Sequence, residues 1–128
     1  MAVELQLLIW SAILALVQML IAVMAAQMQV GLPTLASNRD QMPALTGLAM
    51  RATRAHLNML ESLVIFAIFV LAAYATNRLN ATTALGANLF FWARLAYAIV
   101  YIAGIPWIRT LIWGVSIAGA LLVLSQLF

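Results

Sequence analysis

The segment Arg51-Ala-Thr-Arg-Ala-His-Leu-Asn-Met-Leu-Glu61 runs directly into the apolar stretch Ser62-Leu-Val-Ile-Phe-Ala-Ile-Phe-Val-Leu-Ala-Ala-Tyr74. Together they read as one long helix whose first part is polar and whose second part is suited to lipid. At about 100° per residue, Arg51, Arg54, Asn58 and Glu61 stand at i, i+3, i+7 and i+10, within a wedge of roughly 80°, while His56 points elsewhere. Ionisable groups at membrane depth are costly unless they face a protein interior or a wet cavity, so this stripe is a candidate functional site. The plain alternative is a pair of arginines snorkelling to headgroups.

Composition fixes the class. Of 128 residues, 67% are hydrophobic; the six cationic residues are all Arg, and only three are acidic. A soluble domain does not have this balance, so the chain is an integral membrane protein. Four spans are visible, at 5–26, 55–75, 81–102 and 107–128. Each is long enough to cross a hydrocarbon core of about 30 Å at about 1.5 Å per residue. The first lacks the basic start and cleavage pattern of a signal peptide, since Glu4 opens it. The reading is therefore an all-α membrane protein, a single four-helix transmembrane domain over residues 1–128.

With no Cys and a single His, a disulfide framework, a protein thiol nucleophile and a histidine metal cluster are all excluded within one chain. Any thiol must come from a substrate. The arginines are spread among the spans and are not gathered with aromatics, so no nucleic-acid partner is expected.

Gly31, Pro33, Pro43 and Gly47 interrupt the interval Gln27–Met50, the one substantial loop, with room for a short helical turn before Arg51. Thr76–Thr83 is a short turn rich in N-cap residues, and Gly104-Ile105-Pro106 is a tight break. Arg39, Arg51, Arg54 and Arg109 flank the first and third loops and only Arg78 the second, which puts the first and third loops on the cytoplasmic side. Gly114, Ser116, Ala118, Gly119 and Ala120 are read as packing residues, and Trp10, Trp92, Trp107 and Trp113 as filler or interfacial anchors.

A second stripe, Arg94, Tyr97 and Tyr101 at i, i+3 and i+7, lies on the third span, with Arg109 opening the fourth. Glu61 on the antiparallel second span is the expected partner of Arg94, either for ligand binding or only to fix helix register.

The patterns Arg51-x-x-Arg54-Ala-His56-x-Asn58-x-x-Glu61 and Arg94-x-x-Tyr97-x-x-x-Tyr101-x-x-Gly104, followed by Arg109, resemble the superfamily of membrane-associated proteins in eicosanoid and glutathione metabolism. That superfamily includes microsomal glutathione transferases, leukotriene C4 synthase and the five-lipoxygenase-activating protein. The resemblance covers essentially the whole chain and is nearest to the small bacterial branch. It implies a homotrimer in a bacterial inner membrane, binding glutathione as cosubstrate between subunits at the cytoplasmic end, with a lipophilic small-molecule substrate reaching the site from membrane lipid.

Carried over, Arg54, Asn58 and Glu61 match positions that hold the tripeptide, and Tyr97 and Tyr101 match ligand-contacting tyrosines. Arg51, His56 and Arg94, which lie in the same two motifs, are counted with them as candidate glutathione-binding residues. His56 falls where some relatives carry Gln, and Arg109 lies near the arginine that activates the thiol. Ser62 departs from a tyrosine, and Gln27 and Gln29 stand where some relatives have an arginine. The implied activity is a glutathione-dependent transferase or peroxidase in detoxification; the alternative is a non-catalytic trimeric protein binding lipophilic ligands. A small multidrug antiporter fits poorly, because it needs an acid in mid-span of the first helix and Glu4 lies at its start.

Overall fold

A computed structural model describes residues 1–128. Its five helices are α1 (Val3–Val30), α2 (Leu32–Ala36), α3 (Gly47–Ala75), α4 (Ala81–Ala103) and α5 (Ile108–Ser125). Four of them, all except α2, are long and apolar enough to cross a membrane. Every anticipated span is present. The first two run further than expected into the loop between them, because Gly31 rather than Gln27 ends α1 and the turn preceding Arg51 is already the first turn of α3. The short helix α2 instead follows Gly31, with Pro33 in its first turn, where a missing N–H costs nothing.

Side-chain caps hold the connections. Gln29 bridges the first loop, donating Nε2 to the Ala44 carbonyl at 3.0 Å and accepting from the Thr46 N–H at 3.0 Å. At the other end Asn80 caps α4: its Oδ1 accepts from the Thr82 and Thr83 amides, and Thr83 Oγ1 accepts from the Asn80 N–H. This capping box satisfies donors that a helix start leaves orphaned.

The core lies where the four long helices meet. Phe66 of α3 and Phe90 of α4 stack at 3.9 Å between ring centroids, surrounded by Met59, Val70, Ala87 and Val123. The outer faces carry Ile13, Leu16, Leu20, Ile65, Ile68 and Leu121 in exposed positions, as a lipid-facing surface requires. Helices α4 and α5 touch backbone to backbone: a Cβ on Gly119 would lie 2.5 Å from the Gly86 carbonyl and 2.7 Å from the Phe90 nitrogen, and one on Gly86 would lie 2.5 Å from the Gly119 carbonyl. Gly114, grouped with Gly119 by composition, has open space around it and takes no part in this contact.

Gly119→Ala should therefore cost about 2 kcal/mol or more, because the added methyl meets backbone that cannot rotate away, whereas Gly114→Ala should not destabilise. Thermal unfolding in detergent micelles checks this, and equal midpoints for the two variants would contradict the close α4–α5 contact.

Candidate functional site

Of the sequence-predicted residues, Asn58, Arg94, Tyr97, Tyr101 and Arg109 come together where α3, the second half of α4 and the start of α5 meet, with Arg51 beside them. The centre is Arg94, only 1% exposed. Its Nη2 donates to Asn58 Oδ1 at 2.7 Å, and its guanidinium lies 4.4 Å from the centroid of the Tyr97 ring. The remaining nitrogens, Nε and Nη1, have no hydrogen-bond partner in the chain. The anticipated Arg94–Glu61 pair is thus not formed. Glu61 lies on the exposed face of α3, and the neutral amide of Asn58, three residues earlier, takes its place in the same alignment that stacks Phe66 on Phe90.

From Arg94 the second stripe continues toward the helix end. Tyr97 is buried and meets Tyr101 edge-on, with centroids 5.6 Å apart. Arg109, from the first turn of α5, stacks over Tyr101 at 4.5 Å. The sequence of groups is cation, ring, ring, cation. Each contact is a cation–π or edge-to-face arrangement, so neither guanidinium is neutralised by a carboxylate of the chain. Asn58, Tyr97, Arg109, Thr110 and Trp113 line a cavity of about 180 Å³. Thr110 and Trp113 are additions to the expected set; both follow Arg109 by one and four residues, so they were within reach of helical spacing.

The α3 wedge divides. Arg51 is half-buried and donates Nε to the Ile102 carbonyl of α4 at 3.0 Å. Arg54 and Glu61 are exposed on the outward face. His56 is half-buried, its Nδ1 has no partner, and it lines a separate cavity with α1 residues Met19, Ala22 and Val23 and the loop residue Arg39. One chain therefore brings together Asn58, Arg94, Tyr97, Tyr101 and Arg109, holds Arg51 beside them, and leaves Arg54, Glu61 and His56 apart. Ser62 is buried and returns its hydroxyl to its own helix, at the Met59 carbonyl. Gln27 is exposed.

For four long apolar helices with a polar cluster at one end, the comparison with known families decides the kinship. The chain belongs to the MAPEG family. The family profile matches residues 7–128, essentially the whole chain. No curated protein matches, nor does any solved structure. Membership makes the chain an integral membrane protein of a four-helix family tied to glutathione and eicosanoid metabolism.

Sequence reasoning missed one polar feature of this MAPEG chain, at the far end of the bundle. Glu4 is 4% exposed and accepts from Thr83 Oγ1 at 2.6 Å, which ties α1 to α4. Ser11 and Gln18 are buried on the same face of α1. Their spacing, i, i+7 and i+14 along one face of α1, was the available signal.

Asn58→Leu should destabilise the fold by about 2 to 3 kcal/mol, since it removes the acceptor of a buried charged donor. Adding Arg94→Met should recover part of that loss. Chemical denaturation of both single variants and the double checks the coupling, and strictly additive losses would mean that the two side chains do not act as a pair.

Proposed function

We propose that this protein is a membrane-embedded, glutathione-dependent transferase or peroxidase acting on lipophilic electrophiles, with glutathione bound between subunits of a homotrimer. The observation that carries the reading is Arg109, held over Tyr101 at the mouth of a cavity shared with Asn58, Tyr97 and Thr110. A cationic, partly buried pocket without a counter-charge from its own chain favours an anionic ligand.

Glutathione supplies two carboxylates, an ammonium and a thiol. Arginine forks hold carboxylates in a bidentate manner, and an exposed carboxylate such as Glu61 suits the ammonium. Arg54 and Glu61 both lie on the outward face, which is where a neighbouring subunit and a shared ligand would meet them; His56 would serve the adjacent site from its own side.

The thiol is the reacting group. A free thiol near pKa 8.5 is mostly protonated at neutral pH, and a guanidinium beside the sulfur stabilises the thiolate. In conjugation the S–H bond breaks and its proton passes to water. The thiolate lone pair forms the new bond to an electrophilic carbon as that carbon's bond to its leaving group, such as a halide, breaks and the group departs with the bonding pair. Arg109 would supply the charge stabilisation in that step. The electrophile would arrive from the bilayer, and apolar grooves flank Trp92 on both sides, one against α5 at Ile112 and Val115 and one against α1 at Leu7 and Trp10.

These same grooves favour a second reading, a non-catalytic trimer that binds lipophilic ligands. At about 310 and 330 Å³ they are larger than the polar cavity.

Turnover of a chromogenic electrophile with glutathione separates the two. Arg109→Ala is expected to lower turnover about a hundredfold, as loss of an electrostatic stabiliser does, while glutathione affinity changes little. Arg54→Ala should weaken glutathione binding by about 2 kcal/mol, the scale of a lost charged hydrogen bond. Binding of lipophilic ligands with no conjugation by the wild type would establish the second reading instead.

A further inference from the structure

The last turn of a helix leaves carbonyls without intrahelical partners, and in α4 these are satisfied in two ways. Gly104, left-handed at φ 81°, ends the helix; its N–H reaches the Tyr101 carbonyl at 3.0 Å, and the Ile105 N–H reaches the Val100 carbonyl at 3.2 Å. The Ile102 carbonyl is taken from outside the helix by Arg51 Nε at 3.0 Å, across 51 residues of sequence. A cation there also meets the negative end of the α4 dipole.

The rest of the Arg51 side chain lies against the same turn. A Cβ on Gly104 would sit 3.5 Å from Arg51 Nε and 3.6 Å from its Cδ and Cζ. Glycine at this point therefore serves both the backbone angle and the close approach of the guanidinium. Tyr101 is the residue next to the bonded Ile102 carbonyl, and Arg109 rests on the Tyr101 ring. Few other contacts fix this stretch, because Ala103 to Ile108 are all exposed.

We infer that Arg51 is a positioning residue: by bolting the start of α3 to the end of α4 it fixes Tyr101 and the Gly104–Trp107 turn, and through them the guanidinium of Arg109. Arg51 does not hold the ligand, although it shares a helical wedge with Arg54. The inference deepens the glutathione reading and rests on it for its kinetic consequence; the clamp itself does not depend on any ligand.

The test compares Arg51→Gln, Arg51→Lys and Arg54→Gln in the full-length protein in detergent or nanodiscs. Amide hydrogen exchange at Gly104 and Ile105 should accelerate about tenfold or more in Arg51→Gln, as local opening becomes easier, and should stay at the wild-type rate in Arg54→Gln. In glutathione conjugation, Arg51→Gln should lower kcat about tenfold and shift its pH profile alkaline while the glutathione dissociation constant moves less than about twofold. Arg51→Lys, which can still donate to the Ile102 carbonyl, should restore most of kcat.

Unchanged exchange at Gly104 and Ile105 in Arg51→Gln overturns the clamp. So does a large rise in the dissociation constant with kcat preserved at saturation, which is the signature of a direct ligand contact. A wild-type protein that binds no glutathione would sink the functional reading, and the exchange comparison would then decide the clamp alone.

Discussion

A guanidinium buried among membrane-spanning helices constrains everything around it. Arg94 cannot be solvated by lipid, and the chain gives it one amide oxygen and one aromatic face. Desolvating a charge costs several kcal/mol even after relaxation, so the helices that supply those partners are held in one register. Asn58 fixes α3 and Tyr97 stiffens α4, and the Phe66–Phe90 stack below them closes the core in the same alignment. The close α4–α5 contact at Gly86 and Gly119 then brings Arg109 to the same end.

The consequence is a concentration of cations with acceptors but no internal counter-ion. Arg51 spends one donor on a helix end, Arg94 spends one on an amide, and Arg109 rests on a ring. The only carboxylate on α3, Glu61, faces outward. Such an end is stable by itself yet electrostatically incomplete, which is the condition under which an anionic ligand gains most from binding. The opposite end differs in kind: Glu4, Thr83 and Asn80 form a closed set of hydrogen bonds that ties α1 to the cap of α4.

The four spans, the tight Gly104–Pro106 break and the second stripe were legible in the sequence because each is a matter of local periodicity or local backbone chemistry. The polar wedge on α3 was legible only as a wedge. At about 100° per residue Arg51 and Asn58 differ by about 20°, as do Glu61 and Arg54, with some 40° between the two pairs. Packing against α4 falls across that gap, drawing the first pair inward and leaving the second outside. The partner of Arg94 was misread for the related reason that Asn58 and Glu61 are one turn apart, and helix register depends on aromatic packing that spacing alone does not specify. Glu4 was read only as an acid at a helix start; its burial went unread because its partner Thr83 is 79 residues away.

The proposed function requires that this end of the bundle ionise a bound thiol by charge. The most direct measurement is the ultraviolet absorbance of the thiolate of glutathione bound to the wild-type protein, followed against pH. The account predicts an apparent thiol pKa at least about one unit below the free value of about 8.5. Bound glutathione that titrates like the free thiol would contradict it.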